Sequence, residues 1–367
     1  MTSPERHVPP RSNVVAAPLQ PWAAPLAGRL ETSTFTSTVL AGNPLGDPAE
    51  RPVSVYLPPG YDEHPDKRYP SVYVLQGYSG ALGMWSNRGA FRSTYAESAD
   101  AMFRRGDAPP AIVVLVDAWT AYGGSQFVDS PGTGRYQTYI CDEIVPWVDA
   151  TYRTLNAPAH RGVSGKSSGG FGAMIFAMLR PDLFGGLATH AGDTLYEGCY
   201  IPEFLRVARA LRDRYEGSYE RFWEDFWART RVGQAMSRPE DGSLVMVYGC
   251  AAAFSAEPDA TVTLPFDIAT GLLRDDVWQR WLEWDPVRMV AGHADALRRC
   301  RAIWIDAGRS DDWWLDLGAE AFRRELEKIG VGEADGAVHF ELFDGTHAAI
   351  DYRYPLSLAF LAYRLSA

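Results

Sequence analysis

The sequence predicts an α/β fold: a mostly parallel central sheet with helices on both faces and a helical insertion after the sixth strand. Three observations predict it. Short apolar runs alternate with amphipathic helical patterns, the sign of βαβ units. That rhythm breaks only once, between about Asp193 and Leu297. At 367 residues the chain is long for one core and short for two catalytic domains, which favours one domain carrying an insertion.

In order, Thr34 to Leu40 and Arg51 to Leu57 alternate apolar and polar side chains across a turn-rich link and read as two antiparallel strands. SVYVLQG is a continuous apolar run, expected as a strand buried on both faces. A helix is expected near Thr94 to Arg104, a strand from Ala111 (AIVVLVDA) and a helix from about Tyr136 to Tyr152. A strand through His160 to Lys166, a helix after Ser167 and the strand GGLATHAG follow. The insertion, residues 193–297, carries the helical IPEFLRVARALRDRY and YERFWEDFWART, the irregular VYGCAAAFSAEPDATVTLPFD, and DDVWQRWLEWDPVRMV. It is expected as a lid or side subdomain. CRAIWIDAG, LGAEAFRRELEKIG, AVHFELFDG and a helix around Pro355 to Leu365 then close the domain, taken as residues 31–367. Prolines over residues 1–30 suggest an extended N-terminal arm.

Composition narrows the function. The chain is 46% hydrophobic and 22% charged, ordinary for a globular protein. Its formal net charge of −11 would on average repel a nucleic acid or an anionic membrane, so neither is expected as a partner. Cys141, Cys199, Cys250 and Cys300 make no metal-ligand spacing, so no metal or other cofactor is expected. They suit unpaired thiols in a reducing compartment, with one bridge between Cys199 and Cys250 left open. The N-terminus has no apolar leader run and no stretch reaches membrane-spanning length. A cytoplasmic protein is the expectation, its oligomeric state open and a homodimer among the options.

HRGVSGKSSGGFGAM, residues 160–174, has two readings. Gly165-Lys166-Ser167 matches the end of a phosphate-binding G-x-x-x-x-G-K-[ST] loop, but the required first glycine is His160. Gly165-Lys166-Ser167-Ser168-Gly169 satisfies G-x-S-x-G, the strand-to-helix elbow of α/β-hydrolases, which needs small residues two positions either side of the nucleophile. Ser164 and Ser168 fail that test because Lys166 falls at one of their flanking positions. Ser167 fits.

A serine hydroxyl needs a base, and an imidazole serves best when a carboxylate fixes its tautomer. In α/β-hydrolases the partners follow in the order Ser, acid, His, from loops at the C-terminal ends of strands. After CRAIWIDAG, Asp311 and Asp312 lie in the loop, whereas Asp306 falls inside the strand and Asp316 begins a helix. After AVHFELF, DGTHAAIDYRY offers His347. His339 lies within a strand and His190 precedes both acids. The oxyanion needs two backbone donors: the N–H of Ser168, after the nucleophile, and that of Tyr78, after the VYVL strand.

VYLPPGY, YPSVYVLQGYSG, GKSSGGFGA, DAGRSDDW and FDGTHAAIDYRY together resemble, over roughly residues 32–365, the esterase family of α/β-hydrolases that holds esterase D (S-formylglutathione hydrolase), feruloyl esterase domains, enterochelin esterases and the antigen 85 mycolyltransferases. The bacterial esterase-like members also carry a segment like Gly123 to Gln126 and a helix like EIVPWVD. The resemblance implies Ser167 as nucleophile, Asp311 rather than Asp312 as acid, and His347 as base. Gln76-Gly77 stands where many esterases have His-Gly, and Lys166 and Ser168 depart from several members.

The expected partner is a small-molecule ester, with Gln76, Trp119 and Gln126 as candidate substrate contacts by topology. Trp223, Trp227, Trp278, Trp281 and Trp284 would line an acyl pocket or, at their helical spacing, pack the insertion. The expected activity is a carboxylic ester hydrolase working through an acyl-enzyme, with acyl transfer or thioester hydrolysis as the alternative on the same triad. A non-catalytic binding scaffold would normally lack a triad member.

Overall fold

The structure, a computed structural model, describes residues 23–367. Of the expected arm, residues 1–22 lie outside the described residues. The N–H groups of Ala27 and Gly28 donate to the Asp100 carboxylate at 3.1 and 2.7 Å, which ties the start of the described chain to the body.

The apolar runs become β1 (Arg29–Thr36), β2 (Glu50–Leu57), β3 (Ser71–Leu75), β4 (Ile112–Val116), β5 (Arg161–Lys166), β6 (Gly186–His190), β7 (Ala302–Gly308) and β8 (Val338–Phe343). They form one sheet in the order β1-β2-β4-β3-β5-β6-β7-β8. β2 is antiparallel to both β1 and β4, and the remaining pairs are parallel. The first strand starts and ends earlier than its alternation suggests. Beyond Thr36 the chain is drawn off the sheet by Glu143, whose carboxylate accepts from Thr38 N–H (2.8 Å), Val39 N–H (3.2 Å) and the Ser37 and Thr38 hydroxyls.

Period-two alternation gives the sheet two cores. Val72, Val74, Val113 and Leu115 face one side, covered by α1 (Tyr95–Arg105) and the C-terminal helix Tyr354–Ser366. Tyr73, Leu75, Ile112, Val114 and Val163 face the other, covered by α2 (Val145–Thr151) and α3 (Ser168–Leu179). Thr94 caps α1 in a reciprocal capping box with Glu97, and Gly106 ends it in the left-handed conformation. The helix expected over 136–152 is interrupted by a π-helical turn at Tyr139–Ile144.

The span between β6 and β7 holds α4 (Ile201–Tyr215), α5 (Tyr219–Thr230), α6 (Asp241–Phe254) and α7 (Asp275–Leu282). α6 replaces much of the stretch expected to be irregular. Its apolar residues lie on all sides because it is buried all round, so no amphipathic period marks it. The insertion packs aromatically: Trp281 is fully buried against Tyr200, Phe204 and Phe254, and Trp223 against Tyr122, Trp227 and Tyr248. At the start of α6, Asp241 accepts two bonds from Arg229 at 2.7 and 2.8 Å. All four cysteines are buried and unpaired. After β7 comes α8 (Leu315–Lys328), and α9 is the closing helix Tyr354–Ser366. Among the described residues no helix is long and apolar enough to cross a membrane.

Candidate active site

The C-terminal ends of β3, β5, β6, β7 and β8 meet around one cleft of about 520 Å³. At the end of β5 the backbone turns into α3 through Ser167, whose φ of 57° and ψ of −126° lie outside the regions open to ordinary L-residues. Such a conformation costs about 1–3 kcal/mol. The turn needs both flanking glycines: a Cβ at Gly165 would lie 2.3 Å from the Gly169 carbonyl, and one at Gly169 would lie 2.3 Å from Leu75 O. The elbow is latched by Ser167 N–H donating to His190 O at 3.0 Å and by Phe171 N–H donating to Ser167 O at 2.9 Å.

Beyond β7, the Asp311 carboxylate is aimed by its own loop. Oδ1 accepts from the N–H groups of Trp313 (2.9 Å) and Leu315 (3.4 Å), leaving Oδ2 to accept from His347 Nδ1 at 2.8 Å. The loop after β8 that carries His347 is bound to the Asp311 loop, since Ser310 N–H donates to Gly345 O at 3.0 Å. Trp313 packs edge-on against the imidazole with centroids 4.7 Å apart. Asp311 and His347 are 7% and 8% exposed, so the pair is shielded while His347 still lines the cleft with Ser167. Asp312 makes no hydrogen bond to the histidine among the described residues.

Ser167 Oγ is turned toward Asp193, with Oδ1 at 3.4 Å, and makes no hydrogen bond to His347. Asp193 is a carboxylate that the sequence reading did not single out. Its Oδ2 accepts from Tyr200 Oη (2.9 Å), Ser168 Oγ (3.2 Å) and Gln126 Nε2 (3.3 Å). Burial pushes its pKa above the usual carboxylate range, against the pull of Tyr200, His347, Gln126 and Ser168. It lies three residues past the end of β6, and the strand-end rule that picks out Asp311 applies equally to it.

Ser168 opens α3, where a first-turn N–H has no partner within the helix. Tyr78 N–H donates to no other group among the described residues. Gly77 lies against the elbow, its would-be Cβ 3.7 Å from Ser167 Cβ. The Tyr78 side chain reaches the insertion, its one hydroxyl hydrogen shared between Tyr122 O, in the loop after β4, and Val245 O of α6. It passes over Gly249 of α6 so closely that a Cβ there would sit 1.8 Å from the hydroxyl.

The three candidate substrate contacts stand outside this cleft. Gln76 is buried and braces the end of β4, donating to Val116 O and accepting from Ala118 N–H and Trp119 N–H at 2.8 to 3.0 Å. Trp119 offers its carbonyl to Arg51 and to Tyr136 Oη. Gln126 is fully buried behind Asp193 and reaches Tyr200 (3.1 Å) and Cys250 (3.1 Å) rather than solvent. Topology places their loops near the strand ends, but packing turns the Gln76 and Gln126 side chains inward. None of the five insertion tryptophans lines the cleft; the insertion contributes Cys199, Tyr200, Glu203, Arg206 and Met246 instead. Among the described residues no cluster of three or more His, Cys, Asp or Glu side chains is disposed to hold a metal.

Comparison with known proteins agrees with this architecture. A feruloyl-esterase-bearing xylanase of Xylanibacter ruminicola is 26% identical over 172 residues, 45% of this chain and 22% of that protein. The MPT51 antigen of Mycobacterium leprae is 26% identical over 180 residues, 48% of this chain and 52% of that one. The chain thus spans about half or less of these curated relatives. Among solved structures, a ferulic acid esterase superposes with a TM-score of 0.58 at 20% identity, covering 94% of this chain and all of the other. An S-formylglutathione hydrolase from Agrobacterium tumefaciens gives 0.55 at 16% identity, covering 94% and 98%. These likenesses show a shared α/β-hydrolase fold. Residues 48–360 match the family described as "Putative esterase", and the chain belongs to that family.

Proposed function

We propose that the protein is a serine hydrolase of carboxylic esters, with Ser167 as nucleophile, His347 as general base and acid, and Asp311 as the group that orients the imidazole. The observation that carries this reading is the strained Ser167 elbow opening into the same cleft as a His347 whose Nδ1 is held by Asp311. Ser167 Oγ would turn from Asp193 toward His347 Nε2 when substrate enters, since catalytic hydrogen bonds are often unformed without ligand. It then attacks the acyl carbon as His347 takes its proton. The developing oxyanion is received by the N–H groups of Ser168 and Tyr78. Return of the proton to the leaving alkoxide gives an acyl-enzyme and the free alcohol. Water activated by His347 then releases the carboxylic acid. A thioester or an acceptor alcohol would use the same groups.

The names of the relatives favour ester bonds of small molecules as substrate, and a cleft of this volume suits one. The test is intact mass after treatment with a fluorophosphonate, beside turnover of a panel of p-nitrophenyl esters. One adduct is expected, absent from Ser167→Ala, whose kcat should fall by at least about 10³. Undiminished turnover by Ser167→Ala would sink the assignment.

A further inference from the structure

One charged group of the cleft has neither a hydrogen bond nor an ion pair among the described residues. Lys166, the last residue of β5, precedes Ser167 and lines the cleft with it. Its ammonium has no hydrogen bond or ion pair among the described residues. The other lysines of the chain are engaged, Lys328 with Glu325 at 2.6 Å and Lys67 over the Tyr69 ring.

The remaining charges around the cleft are taken. Arg206 is paired with Glu203 at 2.6 Å, and the second Glu203 oxygen accepts from Ser243. Asp193 is held by its hydroxyl and amide donors. Three further acids act on Lys166 from a distance: Asp351, Asp311 and Asp312. Of these, Asp311 is committed to His347 and Asp351 to Arg92 at 2.9 Å, while Asp312 is exposed to solvent and makes no ion pair with Lys166. Burial pulls the Lys166 pKa below its ordinary value, and those distant acids do not cancel the effect. A half-buried ammonium without a counter-charge is costly. An anion brought by a ligand would remove that cost.

We propose that Lys166 is an anion-binding residue of the cleft and that the preferred ester carries a carboxylate a few bonds from the scissile carbonyl. The inference rests on the serine-hydrolase reading and names the substrate class for it. A lysine suits this role because a compact ammonium on a flexible stem meets a carboxylate without demanding the fixed two-point geometry of arginine.

The test compares ester pairs that differ in charge and little in shape. For the acyl side the pair is p-nitrophenyl hydrogen adipate and p-nitrophenyl methyl adipate. For the alcohol side it is m-carboxyphenyl and m-carbamoylphenyl butyrate. In the wild type one pair should show an anionic-to-neutral ratio of kcat/KM of about 10 to 100, carried by KM. Lys166→Met should bring that ratio to near one, and Lys166→Glu should invert it. Because the readout is a ratio within each protein, general damage cancels. A wild-type ratio near one in both pairs, or a ratio that survives Lys166→Met, overturns the proposal. A binding measurement keeps this separate from the serine reading. Methyl hydrogen adipate titrated calorimetrically into Ser167→Ala should bind at least about tenfold more tightly than into Ser167→Ala/Lys166→Met. Equal binding overturns the anion site, whereas loss of all turnover and labelling in the wild type with this difference intact would count against Ser167 alone.

Discussion

Two groupings of serine, histidine and aspartate stand out among the described residues, and the one with the tighter hydrogen bonds is the one sealed in the core. In the core, His190 Nδ1 is 2.7 Å from Asp306 Oδ1 and Nε2 is 2.8 Å from Ser357 Oγ. At the cleft, His347 bonds to Asp311 at 2.8 Å while Ser167 still faces Asp193. His190 and Asp306 are fully buried and Ser357 is 1% exposed, inside α9. Ser357 is therefore closed to an acyl group, its hydroxyl committed to His190 Nε2 and Tyr354 O. Burial alone would raise the Asp306 pKa, but His190, Trp304 and Arg353 hold it below the ordinary carboxylate value. The core set is a satisfied polar network stitching β6, β7 and α9. What separates the two sets is their surroundings: only the cleft set has a strained elbow and an opening beside it.

The largest expected effect separates the two sets by function. Ser167→Ala should abolish fluorophosphonate labelling and lower kcat by at least about 10³, with a melting temperature close to that of the wild type because the side-chain bond alanine removes is the long one to Asp193 at 3.4 Å. Adduct formation at Ser357 would break the comparison. Next, His190→Ala leaves buried partners unmatched and should cost about 3–5 kcal/mol in denaturant unfolding, while the folded fraction keeps its kcat within about threefold. An equal loss of activity per folded molecule would mean that the core network tunes the cleft.

A third variant sharpens the point about surroundings. Gly249→Ala places a methyl against the Tyr78 hydroxyl, so the loop carrying the Tyr78 N–H must shift. Here kcat should fall by about 10- to 100-fold with a smaller change in KM, somewhat less than outright loss of an oxyanion donor. Unchanged kcat would show that Tyr78 N–H is not such a donor. The smallest effect is expected of Ser357→Ala, about 1–2 kcal/mol of stability with activity unaltered, as for a buried hydroxyl that loses its bonds to His190 Nε2 and Tyr354 O.

Chain order separated these two sets before any geometry was known. Asp306 lies within β7 and His190 precedes both acids, whereas Asp311 and His347 sit in loops past strand ends, after the serine. Ser167 was legible because only an elbow needs small residues at both 165 and 169. Asp193 was not, although it too follows a strand end, because the break in the βα rhythm drew it into the insertion. α6 escaped notice because a helix buried all round has no polar face to reveal its period. Gln126 shows the opposite failure: its loop follows a strand end as expected, but the direction of its side chain depends on what packs behind it.

By itself the sequence determined the layered sheet, the elbow at Ser167 and the placing of Asp311 and His347 in loops past strand ends, since these follow from local rules of period, turn size and strand-end position. Only the tertiary structure decided which charges are matched and which are left over. It joined Tyr78 to α6, set Asp193 beside Ser167, closed the second Ser-His-Asp set away from solvent and left Lys166 without an ion pair among the described residues. Each of these depends on residues far apart in the chain meeting at distances of a few ångströms, and desolvation, which fixes their energies, is a property of the packed whole.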